Sequence, residues 1–153
     1  LGKGSTLRVV LPSLEGKAKT PAKALWSALP KDKRVMVVDD DPLVARAMAR
    51  ALGEGPEVVI VTDPNLALER LVGGERVDLI LCDVMMPGLS GEAFQAALAK
   101  VSPALAASII FITGGAFTQG ATDFLAKTKN RWVQKPVETN VLRELVHDAL
   151  KGG

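Results

Sequence analysis

Cysteine and long apolar runs are scarce in this chain, and each scarcity excludes a class of protein. The 153 residues include a single cysteine, Cys82, so no intramolecular disulfide can stabilise the fold. Cys82 lies within an apolar run, which favours a core position over a reactive thiol. No apolar run approaches the roughly 18 residues of a membrane span, and the N-terminus lacks the charged-then-apolar order of a secretory signal. We therefore expect a cytoplasmic protein without direct membrane contact.

Charge is divided unequally between the two ends of the chain. Residues 1–34 carry eight basic side chains against two acidic ones, a net charge of +6. Residues 35–153 carry 11 basic and 15 acidic side chains, a net charge of −4. A nucleic-acid-binding protein would concentrate positive charge on its folded body. The acidic body therefore argues against nucleic acid as a partner, and the basic residues 13–33, with scattered Pro, Ala and Lys, indicate a solvated linker.

From residue 34 onward, short apolar runs alternate with amphipathic stretches, a pattern typical of repeated strand–helix units. Asp41-Pro42 and Asp63-Pro64 each supply an N-cap and a proline suited to the first turn of a helix. Further helices are predicted at about 91–100, 119–127 and 138–151. The five predicted strands are Val35–Val38, Val58–Val61, Leu79–Cys82, Ile109–Ile112 and Trp132–Gln134. This order of elements predicts an α/β fold with a doubly wound parallel sheet of five strands and helices on both faces.

Polar residues follow four of the five predicted strands at the points where the strands end. Asp39 and Asp40 follow the first strand, Asp83 the third, Thr113 the fourth and Lys135 the fifth. In an open α/β sheet the ligand crevice lies outside the carboxyl ends of the strands, so these side chains should converge there. Grouped carboxylates repel one another unless a cation intervenes, and an all-oxygen ligand set favours Mg²⁺. The alternative is a solvated acidic turn at the start of the first helix, which would leave the other strand ends unexplained.

Four stretches of the sequence together resemble the response-regulator receiver domain of two-component signalling. The resemblance covers about residues 34–151 and implies a flavodoxin-like sheet with strand order 2-1-3-4-5. It also implies that Asp83 accepts a phosphoryl group, that Asp40, Asp83 and the carbonyl of Met85 bind Mg²⁺, and that Asp39 assists through water. The four stretches are VMVVDDDP (35–42), LILCDVMMPGLSG (79–91), IIFITGG (109–115) and WVQKP (132–136).

The same resemblance assigns roles at the fourth and fifth strands. Thr113 and Lys135 would contact the phosphoryl oxygens, and a cis peptide bond would join Lys135 to Pro136. Trp132 stands where many receivers carry a tyrosine or phenylalanine that turns inward on phosphorylation. Because tryptophan is bulkier and its N–H needs a partner when buried, a static role at the surface is an equal alternative.

The first twelve residues, LGKGSTLRVVLP, resemble the end of a histidine-kinase ATP-binding domain. The chain also begins at Leu1 without a methionine and ends at Gly153 without an output domain. We therefore expect the C-terminal receiver of a hybrid sensor histidine kinase, a transferase, with the segments 1–12, 13–33 and 34–151 in that order. Such a receiver would take its phosphoryl group from a phosphohistidine in cis and relay it to a histidine phosphotransfer protein.

Two other functions are weighed against the hybrid kinase. The receiver of a freestanding or output-coupled response regulator stays open as the alternative. An aspartate-nucleophile phosphatase of the haloacid dehalogenase type is disfavoured, because it would carry a second Asp two residues after the nucleophile, where Met85 stands.

Overall fold

Five parallel strands form one sheet in the computed structural model, which describes residues 28–114 and 118–152. The strand order is β2-β1-β3-β4-β5, so the predicted doubly wound sheet and its order are confirmed. Each strand lies within one residue of its predicted bounds, because buried parallel strands read as continuous apolar runs. The strands are β1 (Arg34–Val38), β2 (Glu57–Val61), β3 (Leu79–Asp83), β4 (Ile110–Thr113) and β5 (Trp132–Gln134).

Six helices occur in the described residues, one more than predicted. They are α1 (Pro42–Leu52), α2 (Pro64–Val72), α3 (Gly91–Ala99), α4 (Pro103–Ser108), α5 (Gln119–Lys127) and α6 (Thr139–Lys151). The first two helices begin as expected: the Asp41 carboxylate accepts a hydrogen bond from the Leu43 N–H, and the Asp63 carboxylate accepts one from the Asn65 N–H, both at 2.8 Å. The unpredicted helix, α4, has only six residues, too few for a periodic pattern. Its one local signal is the Ser102-Pro103 pair at its start.

The helices cover both faces of the sheet and divide the core in two. Helices α1 and α6 pack on one face through side chains such as Met48 and Val146. Helices α2 to α5 pack on the other face, where the Phe111 and Phe124 rings meet edge to face with centroids 5.1 Å apart. The predicted core position of Cys82 is confirmed, since its side chain is fully buried. Because the central strands are apolar on both faces, polar side chains are confined to the ends of the strands.

The folded body begins before residue 34, the boundary predicted from the sequence. Leu29 is only 2% exposed and packs against the α1 and α6 side of the core. The Lys33 ammonium lies 3.0 Å from the Asp78 carboxylate at the start of β3. Residues 28–33 are therefore part of the domain, whereas the predicted kinase remnant 1–12 and linker residues 13–27 lie outside the described residues. None of the helices described has the length and apolarity needed to cross a membrane.

A buried asparagine, Asn130, holds the loop between α5 and β5 in place. Its amide nitrogen donates to the carbonyls of Ala106 and Ile109 at 2.9 and 2.8 Å, and its amide oxygen accepts from Gln95 Nε2 at 2.5 Å. Asn130 is 9% exposed, so these carbonyls have little access to water. One side chain thus joins α3, the turn after α4 and the entry to β5.

We expect Asn130→Ala to lower the free energy of unfolding by about 3 kcal/mol, because buried carbonyls that lose a hydrogen-bond partner each cost about 1–3 kcal/mol. Urea denaturation followed by circular dichroism would measure the change. The matched control is Asn140→Ala on the exposed first turn of α6, which should change stability by less than about 0.5 kcal/mol. Equal effects of the two substitutions would show that the Asn130 network is dispensable.

Candidate functional site

The pairing register of the sheet brings the predicted site residues to one edge. Val38 of β1 lies opposite Cys82 of β3, so Asp39 and Asp83, the next residues on each strand, are neighbours. Thr113 ends β4 opposite Gln134 of β5, which places Lys135 directly beyond β5. The convergence expected from the strand ends is therefore present for Asp39, Asp83, Thr113 and Lys135.

Lys135 makes ion pairs with two buried carboxylates. Its Nζ lies 2.7 Å from Asp39 Oδ2 and 3.0 Å from Asp83 Oδ1. Asp39 is 1% exposed and Asp83 is 4% exposed, so neither charge is well solvated. Two ionised carboxylates this close together need a positive counter-charge. The direct contact between Asp39 and Lys135 was not predicted, because the sequence pattern gave Asp39 only a role through water.

The pKa values of Asp83 and Lys135 reflect this shared burial. Burial raises the pKa of Asp83, and the neighbouring Asp39 charge adds to the rise, while Lys135 opposes it without cancelling it. Burial acts to lower the pKa of Lys135, but the contacts with Asp39 and Asp83 outweigh it and hold that pKa above its ordinary value. Lys135 therefore remains protonated as a fixed positive charge beside a carboxylate that resists ionisation.

One oxygen of Asp83 has unused capacity to bind a cation or a donor. Oδ2 accepts a hydrogen bond from the Met85 N–H at 3.1 Å. Oδ1 is buried, and the Lys135 ammonium lies 3.0 Å from it. Because a carboxylate oxygen carries two lone pairs, Oδ1 can accept a further donor or bind a cation beside Lys135.

The predicted metal ligands are close together in the chain but differ in exposure. Asp40 is exposed beside the buried Asp39, and Met85 is 40% exposed in the loop after β3. The described residues hold no cluster of three or more His, Cys, Asp or Glu side chains suited to an ion. The predicted magnesium site has only two carboxylate ligands, from Asp40 and Asp83, and its third ligand is a main-chain carbonyl. The absence of a three-side-chain cluster from the described residues therefore does not test this site, which stays a prediction.

Thr113 and Trp132 show how side-chain direction limits prediction. Thr113 is fully buried, and its hydroxyl donates to the adjacent Gly114 carbonyl at 3.3 Å, so its predicted contact with a phosphoryl group stays a prediction. Trp132 lies on the edge strand β5 and is 45% exposed, so it occupies a surface position in this structure. The predicted cis peptide bond between Lys135 and Pro136 is confirmed.

Gly91, at the start of α3, allows this helix to pack closely against the main chain at Asp83. A Cβ atom at this position would lie 2.8 Å from the Asp83 carbonyl oxygen and 3.0 Å from Val84 Cα. Both neighbours are main-chain atoms at the end of a buried strand and cannot move easily. The close approach of α3 to Asp83 depends on how α3 packs against the end of β3, which no local sequence pattern specifies.

Comparisons with known proteins agree on one family. The sequence model described as "Response regulator receiver domain" matches residues 35–147. The transcriptional regulatory protein GlrR of Escherichia coli K12 is 30% identical over 128 residues, which cover 79% of this chain and 27% of that protein. The sensor kinase CckA of Brucella abortus is 30% identical over 165 residues, covering 99% of this chain and 17% of that protein. The chain therefore spans about a quarter of GlrR and a sixth of CckA.

A solved structure supports the same assignment. The signal receiver domain of a signal transduction histidine kinase from Syntrophus aciditrophicus superimposes with a TM-score of 0.67 at 26% sequence identity. The match covers 79% of this chain and 92% of that one. The family match over residues 35–147, the sheet order 2-1-3-4-5 and the convergent strand ends lead to one conclusion. The chain belongs to the response regulator receiver domain family and is a receiver domain of two-component signalling.

Proposed function

We propose that Asp83 accepts a phosphoryl group from a phosphohistidine, assisted by Mg²⁺. The observation that carries this proposal is the position of Asp83, a buried carboxylate 3.0 Å from the Lys135 ammonium at the ligand edge of the sheet. An Asp83 oxygen attacks phosphorus and forms the C–O–P bond of an acyl phosphate, while the N–P bond breaks and the donor imidazole leaves. Asp83 is thus the nucleophile, and no proton has to be removed from it when it is ionised.

The charge of Lys135 counters the main obstacle to this reaction. Attack brings an anionic carboxylate toward an anionic phosphoryl group, so positive charge must be present before the reaction begins. Lys135 is held in place by Asp39 at 2.7 Å, a contact that does not involve Asp83. Asp83 can therefore exchange its contact with Lys135 for a bond to phosphorus without releasing the ammonium from the site.

The site residues fit Mg²⁺. The buried Oδ1 of Asp83 and the exposed carboxylate of Asp40, the residue after Asp39, are oxygen ligands of the kind Mg²⁺ prefers. Asp40, Asp83 and the Met85 carbonyl would hold the ion, and Asp39 would assist through water. When bound, Mg²⁺ supplies positive charge to the phosphoryl oxygens.

Thr113 would link the modified Asp83 to the loop after β4. Its hydroxyl stands at the end of the neighbouring strand, and its one hydrogen bond within the described residues is to the Gly114 carbonyl at 3.3 Å. An acyl phosphate adds strong acceptor oxygens, to which this hydroxyl could donate instead. Release of the Gly114 carbonyl would then change the main chain at the start of that loop.

A groove beside Lys135 suits a helix that carries the donor histidine. The groove has a volume of about 510 Å³ and lies between α1 and the connection from β5 to α6. Its walls are mostly apolar and include Val44, Ala47, Pro136 and Val137, with Lys135 among the lining residues. Leu43, on the first turn of α1, is 73% exposed and directly precedes the lining residue Val44 in the chain. An apolar helix seated here would bring a histidine at its end near Asp83.

A hybrid sensor histidine kinase is the proposed parent of this receiver. The similarity to sensor kinase CckA extends over 99% of the chain, residues before β1 included, and the first twelve residues resemble a kinase ATP-binding domain. Kinase, basic linker and receiver would then supply phosphoryl groups in cis, with onward relay to a histidine phosphotransfer protein. The similarity to GlrR favours an output-coupled regulator as the second candidate. The encoded sequence upstream of residue 1 distinguishes the two by the presence or absence of a phosphorylatable histidine and an ATP-binding domain.

We expect acetyl phosphate and Mg²⁺ to add one phosphoryl group to the wild-type chain, and Asp83→Asn to abolish the addition, because the amide is not a nucleophile. Intact-mass spectrometry would detect the modified chain. The control is Asp123→Asn, an exposed acid on α5 that hydrogen-bonds only to Gln119 among the described residues and should leave the yield unchanged. Equal phosphorylation of Asp83→Asn and wild type would refute Asp83 as the acceptor.

Asp83→Asn should also raise the melting temperature of the metal-free chain at pH 7. Because burial raises the pKa of Asp83, the native state binds this proton more tightly than the unfolded chain does. Ionisation therefore lowers stability as the pH rises from the ordinary toward the raised pKa, and a neutral amide avoids that loss. Calorimetry at pH 7 and at lower pH should show the difference shrinking as the carboxyl group becomes protonated.

The same calorimetry tests the metal ligands without any reaction. MgCl₂ should raise the melting temperature of the wild type, since a ligand that binds only the native state stabilises it. Asp40→Asn should reduce this increase, while Asp123→Asn should retain it. An equal response of Asp40→Asn and wild type to MgCl₂ would remove Asp40 from the ligand set.

The docking groove makes a separate prediction. Ala47→Arg places a long, charged side chain in the groove on an exposed face of α1, so it should slow phosphoryl transfer from a phosphorylated histidine kinase by about tenfold or more. Phosphorylation by acetyl phosphate should be unaffected, because the small donor needs no docking surface. Ala126→Arg on the exposed side of α5 is the control for added charge. Equal slowing with both donors would indicate damage to the site instead of lost docking.

A further inference from the structure

A second groove lies on the opposite face of the sheet from the donor groove, between α3, α4 and α5. It has a volume of about 530 Å³, and its lining includes Ala96, Ala106 and Phe124. Ala96, Ala99 and Pro103 are exposed and form the apolar surface of the groove, above the buried Ala106 and Phe124. Nothing in the proposed phosphoryl transfer uses this groove: none of the site residues lines it, and Gly91, the residue of α3 that packs against Asp83, lies outside it.

The rim of this groove carries positive charge at one end. Lys127 and Lys129 both line it and are both exposed, and neither is within ion-pair distance of an acid in the part of the chain that the structure describes. The residues that the structure describes carry 14 basic and 16 acidic side chains, a net charge of −2, so this pair of unneutralised lysines is a local excess of positive charge. Glu92 lines the groove near the start of α3.

Lys127 is the last residue of α5, and the loop that follows it and presents Lys129 is anchored by hydrogen bonds. Asn130, between Lys129 and Arg131, is anchored to the Ala106 and Ile109 carbonyls, and Thr128 hydrogen-bonds to it. Residues at alternate positions therefore point away from the core. Side chains fixed on an anchored loop lose less entropy on binding than the same charges on a mobile segment.

We propose that this groove binds an acidic amphipathic helix of a partner protein. The helix would lay its apolar face on Ala96, Ala99 and Pro103 and direct carboxylates toward Lys127 and Lys129. The groove follows α3, whose nine residues span about 13 Å, so about two to three turns of a partner helix match its length. Helix-in-groove recognition uses this combination of an apolar floor and charged rim.

Nucleic acid and anionic membrane fit this surface less well. Their affinity rises with the number of phosphate groups neutralised, and two lysines neutralise few of them. Glu92 on the rim would also oppose an extended polyanion laid along the groove. A short helix with a few carboxylates can contact the two lysines and avoid the rest of the surface.

Arg131 provides a matched control within the same loop. It is exposed like the two lysines, but it lines only a different cavity, on the α6 side of the loop, together with Asp148; Lys129 borders both cavities. A partner seated in the α3–α4–α5 groove should depend on Lys127 and Lys129 and should be insensitive to Arg131. A generic attraction of anions to a basic loop would depend on all three.

The test uses the full 153-residue chain and two fluorescein-labelled synthetic peptides of about 14 residues, a length of roughly four helical turns. Both peptides are amphipathic with the same Leu and Phe face, and their polar face carries Glu in one and Lys in the other. Fluorescence anisotropy at low salt should show the Glu peptide binding about tenfold or more tightly than the Lys peptide. Similar affinities for the two peptides would overturn the proposal.

Three variants then locate the binding. The double substitution Lys127→Glu with Lys129→Glu should reverse the preference between the peptides, while Arg131→Glu should leave it unchanged. Ala96→Gln, which places a polar side chain in the groove without changing charge, should weaken the Glu peptide by about fivefold, a loss of about 1 kcal/mol. Melting temperatures within a few degrees of wild type would show that each variant is folded.

Two results would replace the proposed partner. Equal effects of Arg131→Glu and the double substitution would indicate a nonspecific anion surface. Binding of single-stranded DNA or phosphatidylserine vesicles as tight as that of the Glu peptide would indicate a polyanion instead of a helix, provided that Ala96→Gln does not weaken it. Either result overturns the helix proposal.

Discussion

Two nearly buried carboxylates from neighbouring strands share one ammonium group, and the arrangement around them depends on that contact. Asp39 and Asp83 repel each other, and Lys135 offsets the repulsion only if β5 ends at the right position. β5 is an edge strand of three residues and has little burial of its own. Its position is fixed by its pairing with β4, including the hydrogen bond from the Lys135 N–H to the Thr113 carbonyl at 2.6 Å.

The core explains why this chemistry appears at one edge of the sheet. Strands β1, β3 and β4 are buried on both faces, so a charged side chain within them would lack a partner. Polar groups are tolerated where the strands end and the chain turns toward solvent. There the close approach of Gly91 to the Asp83 carbonyl keeps α3 tight against the site, and Asp83 cannot move far from Lys135.

The short strand β5 connects the two ends of the sheet, where the strands begin and where they end. β5 starts next to Asn130, which is fastened to the turn after α4, and it ends next to Lys135. Only four residues separate these two polar anchors. The position of Lys135 thus depends on buried hydrogen bonds at the far edge as well as on its own ion pairs, and Trp132 lies exposed between the two.

The sequence by itself determined the features that rest on local patterns. Apolar runs located all five strands within one residue, and Asp41-Pro42 and Asp63-Pro64 located the starts of two helices, because capping acts within a single turn. The order of polar strand ends also predicted the convergence of Asp39, Asp83 and Lys135. Sequence could not give α4, whose six residues are too few for a periodic signal, or the burial of Leu29 within what reads as a basic linker.

Only the tertiary structure decided which side chains meet. The contact between Asp39 and Lys135 joins residues 96 positions apart, and the contact between Asn130 and Ala106 joins residues 24 apart. Such pairs depend on strand order, register and the direction in which each side chain leaves the backbone, none of which is encoded in a local pattern. Thr113 illustrates the limit, because its place at the edge followed from the sequence, whereas the partner of its hydroxyl followed from packing.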